Sequence, residues 1–277
     1  MKTSTIDLDA MPNRLAELPD CPSRLFVRGS IPRVPMVAVI GTRSCTRYGR
    51  RLARAFGSAI ATAGWCLVSG LARGIDGEAH RGTVASRGLG VGVLGSGLDV
   101  WYPAEHQVLG EELLELGGAV ISEYEEGTPP ERWHFPRRNR IISGLAQAVV
   151  VVEAGLTGGA LITASLALDQ GRPVFVVPGD VDRPASEGCN RLLRDGAHPV
   201  LGPGDLVEEL SLVLGPPLGT PGRTADDKLV EAVAAGAQLS ELADELGSPE
   251  PEVRLRVARL RADGRLAGAG GTVAPGR

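Results

Sequence analysis

The sequence has few aromatic residues, almost no lysine and no long apolar run. It holds four Phe, three Trp and three Tyr in 277 residues. Lys2 and Lys228 are its only lysines, so arginine carries nearly all of the positive charge. No apolar stretch of 18 residues occurs, and no apolar leader segment opens the chain. These absences predict a cytoplasmic protein without a membrane span.

Cysteine and histidine are equally sparse. The four cysteines form no Cys-x-x-Cys pair, and the four histidines are scattered. This pattern predicts free thiols in a reducing compartment and no metal site. The sequence also lacks G-x-x-x-x-G-K-[ST], which argues against a P-loop nucleotidase. We therefore expect neither a metal ion nor a cofactor.

Acidic residues are absent from residue 21 to residue 75. That window holds nine arginines, although the whole chain has a net charge of −4. Such an asymmetry indicates a phosphate or polyanion as partner. Arg47, Arg50, Arg51 and Arg54 fall on one face of a predicted helix, which by itself is more typical of a solvated surface. Arg43, in a glycine turn, is the better candidate for function.

Apolar, β-branched runs alternate with helical periodicity from residue 34 to residue 210. The pattern predicts a Rossmann-like, doubly wound α/β domain with a mainly parallel sheet. Residues 1–33 are proline-rich and predict a short polar lead-in with one brief helix near 14–18. Strands are expected at 34–40, 65–69, 89–94, 119–122, 148–153, 173–177 and 199–201, and helices at 47–63, 77–87, 105–116, 137–145 and 159–170.

The C-terminal part differs in character from the rest. Residues 211–223 are rich in Gly and Pro and predict a linker. Residues 224–277 predict a small winged-helix domain with helices at 226–235, 239–246 and 249–263 and a hairpin at 265–274. Val253, Val257 and Leu260 should face inward. The domain has seven basic and nine acidic residues, so the case for DNA binding by it is weak, and contact with a protein is about equally expected.

Glycines follow several predicted strands. Gly41, Gly95 and Gly159 should gather at one edge of the sheet with Arg43 and Arg73, where backbone N–H groups favour phosphate. The plainer alternative is that these are tight turns only. The G-x-G-x-x-G match at 90–95 lies within a predicted strand rather than after one, so it does not indicate NAD.

Residues 132–140, Arg-Trp-His-Phe-Pro-Arg-Arg-Asn-Arg, interleave arginines with aromatic rings. Flat rings beside cations are what a single-stranded nucleic acid site needs. The alternative is a helix N-terminus whose arginines pair with the acidic residues at 123–131. Asp76 and Glu153 lie near strand ends, but neither has a matched acid, base or nucleophile. We therefore predict no catalytic residue.

Several ordered motifs together resemble the DNA processing protein A family over roughly residues 20–210. They are Gly41-Thr-Arg43, Ser69-Gly-Leu-Ala-Arg-Gly-Ile-Asp76 with Ala79-His80, Tyr102-Pro103, Ser122-Glu-Tyr124, Phe135-Pro-Arg-Arg-Asn-Arg140, Glu153-Ala154, Leu161-Ile-Thr-Ala164, Arg172 and Val177-Pro-Gly179.

The resemblance implies a non-enzymatic protein that binds single-stranded DNA, forms a homodimer and loads the RecA recombinase during natural transformation. It places the DNA pocket at Arg43, Arg132, Phe135 and the segment 138–140, with loop glycines and Ser96 beside them. The full candidate set is Gly41, Arg43, Arg73, Gly95, Ser96, Arg132, Phe135, Arg137, Arg138, Asn139, Arg140 and Gly159.

Two features depart from the family pattern. Residues 1–33 are too short for the N-terminal helical SAM-like domain that many members carry. The family's Ser-Gly-Ser appears here as Gly158-Gly159-Ala160, so backbone amides would replace two hydroxyls.

Two rival functions stay open at this point. One is an enzyme of the phosphoribohydrolase type, although its Pro-Gly-Gly-x-Gly-Thr-x-x-Glu motif is not matched at 153–160. The other is a winged-helix regulator with a sensory α/β domain.

Overall fold

The computed structural model describes residues 3–218, 229–230, 232–233, 237–246 and 249–262. The chain divides into two compact units, residues 1–221 and residues 222–277. Among the described residues no helix is long and apolar enough to cross a membrane. No group of three or more His, Cys, Asp or Glu in those same ranges is arranged to hold a metal ion.

The first unit is built on one nine-stranded sheet. Its strands are β1 (Ser4–Asp7), β2 (Arg24–Gly29), β3 (Met36–Ile40), β4 (Cys66–Ser69), β5 (Gly90–Leu94), β6 (Ala119–Ser122), β7 (Ala148–Val151), β8 (Val174–Val176) and β9 (His198–Pro199). The order across the sheet is β1-β2-β6-β5-β4-β3-β7-β8-β9. All pairs from β6 to β9 are parallel, and β1 and β2 add an antiparallel edge. The predicted fold class, Rossmann-like and mainly parallel, is confirmed.

Helices cover both faces of the sheet. They are α1 (Asn13–Ala16), α2 (Arg47–Thr62), α3 (Ile75–Ala85), α4 (Gln107–Glu115), α5 (His134–Leu145), α6 (Gly159–Asp169), α7 (Glu187–Arg194) and α8 (Pro203–Leu214). Alternate residues of β3 enter different cores: Ala38 and Ile40 lie in one cluster, and Val37 and Val39 in the other. Because both faces are covered, the central strands are apolar throughout rather than alternating.

The N-terminal residues differ from the expected lead-in. Over residues 1–33 the sequence predicts only a polar segment, whereas the structure adds β1 and β2 to the sheet. In β2 only Leu25 and Val27 are buried, and arginines flank them. Two inward side chains between prolines are too weak a pattern to indicate a strand.

The predicted linker also begins later than expected, because α8 runs to Leu214 and its Leu206 and Leu210 are buried. Helix α7 was not predicted. Its pattern is largely polar, and only Gly188 and Cys189 are buried.

The second unit has α9 (Leu239–Leu246) and α10 (Glu250–Ala262), close to two predicted helices. Val253, Val257 and Leu260 are buried in its core, as predicted, together with Leu229 and Leu242. The hairpin predicted at 265–274 lies outside the described residues. The winged-helix assignment therefore stays a prediction.

Candidate nucleic-acid interface

The candidate site lies where the strand order reverses. From β3 the chain proceeds through β4, β5 and β6 on one side, whereas β7, β8 and β9 lie on the other. The loops after β3 and β7 therefore diverge, and ligands bind at such a switch point in doubly wound folds. A cleft of about 770 Å³ opens there. The loops after β3 and β7 and the first turns of α5 and α6 supply most of its lining.

Gly41 is the residue at which β3 turns into the cleft. A Cβ at this position would overlap the Ile75 side chain and lie 2.8 Å from the carbonyl oxygen of Glu153. The next residue, Thr42, donates its amide to that same carbonyl, with N···O 2.7 Å. Only glycine fits this close approach, which fixes the direction in which Arg43 leaves the sheet.

Two aromatic rings and Arg43 form one wall of the cleft. The Arg43 guanidinium carbon lies 4.8 Å from the centroid of the Phe135 ring. Tyr102 packs on the same ring at 5.4 Å and is 42% exposed. Arg43 and Arg132 both line the cleft, and neither has an ion pair among the described residues. The wall therefore presents cations without ion pairs beside the exposed Tyr102 ring and the half-buried Phe135 ring.

Helical phase sorts the residues of the basic segment. Helix α5 begins at His134, earlier than predicted, because Pro136 is tolerated in a first turn. Phe135, Arg138, Asn139 and Ile142 then fall on one face, and all four line the cleft.

Arg138 is the buried cation of the cleft floor, with 4% of its surface exposed. Its Nη1 donates to the carbonyl of Gly70 at 2.7 Å and to that of Val93. Burial lowers the pKa of Arg138 to about 10, and the Asp76 carboxylate opposes that shift. Burial raises the pKa of Asp76, while Arg138 and the Gly70 amide oppose the rise. Arg138 thus holds the ends of β4 and β5 in place, and it also gives the floor of the cleft a positive charge.

The N-terminus of α6 forms the opposite side. Gly158 precedes the helix with φ 149°, a conformation that favours glycine, and a Cβ there would meet only open space. Asn139 Nδ2 donates to the Gly159 carbonyl at 3.2 Å and so ties α5 to α6. The first amides of α6 have no partner within the helix, and the dipole favours an anion at this end.

Gly95 and Ser96 support the cleft from beneath. A Cβ on Gly95 would lie 3.1 Å from the Phe135 ring, so glycine lets the ring settle on the end of β5. Ser96 is buried, and its hydroxyl donates to the Val100 carbonyl at 2.6 Å. The Ser96 hydroxyl is thus used within its own loop and does not line the cleft.

Three predicted arginines do not line the cleft. Arg73 pairs with Glu105 at 2.5 Å, and this contact lowers the pKa of Glu105 to about 2. Arg137 and Arg140 both contact Glu123, at 3.3 Å and 2.7 Å, on the far face of α5. Arg137 and Arg140 therefore pair with an acidic residue, which is the alternative that the sequence left open for this segment.

The carboxylates near the cleft are already engaged. Glu153 accepts hydrogen bonds from the amide and hydroxyl of Thr46, both at 3.1 Å from Oε2. Asp76 accepts from the Gly70 amide at 3.1 Å. Each carboxylate thus holds a loop in place.

Three exposed, large apolar or aromatic residues of the cleft were missed by sequence reasoning. Tyr102, Leu156 and Ile162 line the cleft, and each is more than 40% exposed. Tyr102 lies in one of the motifs that carry the family resemblance, and Leu156 lies in the segment 153–160 that was compared with the phosphoribohydrolase motif. Their apolar character alone is no signal, because exposed apolar residues are common on any protein surface.

Comparisons with known proteins agree on one family. A family model described as DNA recombination-mediator protein A matches residues 2–211. Protein Smf of Escherichia coli is 39% identical over 275 residues, which cover 94% of this chain and 74% of that protein.

Solved structures show the same relationship. The X-ray structure of DNA processing protein A from Streptococcus pneumoniae is 37% identical, has a TM-score of 0.70, and matches 75% of this chain and 74% of its own. The Helicobacter pylori protein, solved in a study of its single-stranded DNA binding mode, is 28% identical with a TM-score of 0.68, over 76% of this chain and 95% of its own. The resemblance predicted from the motifs is confirmed, and the chain belongs to the DNA recombination-mediator protein A family, that of DNA processing protein A.

Proposed function

We propose that this chain binds single-stranded DNA in the cleft at the switch point and acts as a recombination mediator. The observation that carries the proposal is that cations without ion pairs lie beside two aromatic rings in one wall. Arg43 and Arg132 are available for phosphates, and Phe135 and Tyr102 offer ring faces to bases. Stacking on rings tolerates any base, and arginine binds phosphate in a charge-assisted, often bidentate way.

The opposite wall fits the same ligand. The amides at the start of α6 suit a phosphate, and the exposed Leu156 and Ile162 suit the apolar faces of bases. The Helicobacter pylori relative binds single-stranded DNA, according to the description of its structure. Its likeness to this chain supports the same ligand here.

We propose further that the bound strand is passed to the RecA recombinase, that the protein acts as a homodimer in the cytoplasm, and that it serves natural transformation. These proposals rest on family membership. They are tested by measuring whether the protein speeds RecA assembly on oligonucleotides coated with a single-strand binding protein, and by sedimentation of the protein across a concentration series. A monomer at every concentration would contradict the dimer.

The cleft is proposed to carry out no catalysis. Asp76 and Glu153 are both committed to loop hydrogen bonds, so neither is placed as a free general base. The phosphoribohydrolase alternative predicts release of free base from nucleoside monophosphates. Chromatography of such a mixture after incubation with the protein tests this, and free base above the blank would overturn the proposal.

The experiment that tests the DNA site is a salt titration of affinity for labelled single-stranded and duplex oligonucleotides. We expect the single strand to bind more tightly, with log affinity falling steeply against log salt. Arg43→Gln should weaken binding about tenfold, because a hydrogen bond to a charged group is lost.

The matched control is Arg191→Gln, an exposed arginine of α7 that does not line the cleft. It removes the same charge and should bind as the wild type does. Equal affinity of the Arg43→Gln protein and the wild type would contradict the site. Preference for duplex would contradict the function.

A further inference from the structure

A second basic surface lies beside the cleft. Arg47, Arg50, Arg51 and Arg54 follow the i, i+3, i+4, i+7 spacing of one helix face on α2. They line a groove of about 530 Å³ whose floor is made of small residues of α2 and α3, namely Ala55, Ser58, Gly82 and Ala85. We call this surface the arginine groove.

Glycines shape the arginine groove by drawing α2 and α3 together. A Cβ on Gly57 would overlap the Ala79 carbonyl, and a Cβ on Gly82 would overlap the Arg54 carbonyl. The Arg50 and Arg54 side chains are 58% and 55% exposed, so they lie on the surface and do not fill the space between the helices. The groove is thus open and flanked by cations.

Charge in the groove is only partly neutralised. Glu78 is the carboxylate that contacts this set: it lies 2.6 Å from Arg54, 3.9 Å from Arg50 and 3.4 Å from Arg81. Arg47 and Arg51 have no ion pair among the described residues. One carboxylate therefore serves three arginines, and two more arginines face solvent.

This arrangement costs helix stability. The first turn of α2 contains no acidic residue, and it places Arg47 and Arg50 at the end of the dipole that repels cations. The pairs Arg47/Arg51 and Arg50/Arg54 are like charges at i,i+4, which destabilise a helix by about 0.2–0.5 kcal/mol each. The spacing alone is also typical of a solvated helix face, but the repulsion together with the groove between α2 and α3 points to a bound polyanion.

The groove is continuous with the cleft along the chain. Arg43 lines the cleft and Arg47 begins α2, so their Cα atoms are at most about 14 Å apart. Tyr48, which follows Arg47, is 47% exposed, and the Arg51 guanidinium lies 5.9 Å from its ring. From Arg47 to Arg54 the helix rises about 10 Å, which is room for a few nucleotides.

We propose that single-stranded DNA leaving the cleft continues along the arginine groove, with phosphates on Arg47 and Arg51. The inference rests on the proposed function, because it extends the same strand beyond its first site. It predicts that the groove contributes to binding of long strands and contributes nothing to binding of strands that the cleft alone accommodates.

The test compares the affinities for two oligonucleotides. One of about 6 nucleotides is within the usual site size of one binding domain, and one of about 20 nucleotides is longer than that site. In Arg47→Gln/Arg51→Gln, affinity for the long strand should fall about threefold to tenfold at low salt, and the log–log salt slope should drop by about 1.4. Affinity for the short strand should equal that of the wild type. Unchanged short-strand binding also shows that the variant is folded.

The matched control is Arg191→Gln/Arg194→Gln, which removes two exposed arginines from α7. It should bind both strands as the wild type does. The groove proposal is overturned if the groove variant and the wild type have equal affinity for the long strand. It is also overturned if the variant loses affinity for both strand lengths alike, or if the control variant loses as much affinity as the groove variant. If the groove variant binds both strands as the wild type does but has lost binding to an acidic protein, the proposal is also overturned. Failure of the wild type to bind either strand would instead overturn the proposed function.

Discussion

At the residue scale, Phe135 links the two properties of the cleft wall. Its ring lies under Arg43, against Tyr102 and on Gly95, so it orders a cation beside the exposed Tyr102 ring. The sequence indicates Phe135 because an aromatic residue among arginines is unusual in a chain with ten aromatic residues. The contacts with Gly95 and Tyr102 are not visible in the sequence, since they join segments more than 30 residues apart.

Replacement of Phe135 by leucine should lower affinity for single-stranded DNA about tenfold, because stacking of a base on a ring contributes about 1–3 kcal/mol. Phe135→Tyr keeps the ring and should bind nearly as the wild type does. Fluorescence anisotropy with a short labelled strand measures both. If leucine and tyrosine at this position bind alike, the ring does not contact a base.

A second residue-scale prediction concerns His80 in α3. Its side chain is completely buried, and the Ser69 backbone only partly opposes the effect of that burial on the ring. Burial lowers the pKa of His80 to about 3, against about 6.5 in an unfolded chain. Between these values the unfolded state binds a proton that the native state does not. The contribution of His80 to stability is therefore complete above pH 6.5 and is lost as pH falls toward 3.

Lowering the pH from 7.5 to 5 should thus cost the wild type about 2 kcal/mol through this one group. His80→Asn removes the titration and should show a pH dependence smaller by that amount, whatever its stability at pH 7.5. Urea unfolding at the two pH values measures the difference. The same pH dependence in both proteins would mean that His80 is protonated or hydrated in the native state.

At the scale of elements, helix α5 shows what its sequence determines and what it leaves open. The spacing of Phe135, Arg138 and Asn139 assigns them to one face, and the structure places that face in the cleft. The same spacing assigns Arg137 and Arg140 to another face, once the helix is known to begin at His134. The predicted start at residue 137 left Phe135 outside the helix, because a proline in the segment argues for a later start, so the alignment of Phe135 with Arg138 and Asn139 was not predicted.

Regular elements with a strong apolar pattern were predicted within a few residues, as β6 and α6 show. Elements whose burial depends on distant partners were not. β2 joins the sheet through β6, almost a hundred residues away, and α8 covers Val200 and Phe175 with a short apolar stripe in a Gly- and Pro-rich context. Local sequence holds little information on such pairings.

The division within α5 yields a stability prediction. Arg140 has 5% of its side chain exposed and pairs with Glu123 and with Asp20, at 2.8 Å. Arg140→Met leaves Glu123 partly unpaired in a mostly buried position and should lower the free energy of unfolding by about 3 kcal/mol. Arg137 has 55% of its side chain exposed, so Arg137→Met should change that free energy by less than about 1 kcal/mol.

Denaturant unfolding of the two α5 variants checks this difference. Neither residue lines the cleft, so folded protein of either kind should bind single-stranded DNA as the wild type does. A large loss of affinity in Arg137→Met without loss of stability would place that arginine on the DNA path, as the family motif first suggested.

At the scale of the whole molecule, the cleft belongs entirely to the first unit. Every residue that lines it lies between positions 40 and 163, and the cores that cover the sheet end with α8. The second unit has a core of its own, from Leu229 to Leu260. We propose that it is a winged-helix module, as the helix pattern of 224–277 indicates, and its net negative charge makes it a weak candidate for the DNA site.

A chain of residues 1–218 should therefore fold alone and keep the full preference for single strands. Its buried cores are intact, and it retains Arg43, Arg132 and the arginine groove, so the salt slope should match that of the full chain. Parallel titrations of the two proteins on single-stranded and duplex oligonucleotides measure this, with cooperative thermal unfolding as the check on folding. If a folded 1–218 chain binds poorly, or if duplex preference appears only when residues 224–277 are present, the second unit reads DNA itself. The winged helix, rather than the cleft, would then be the main interface.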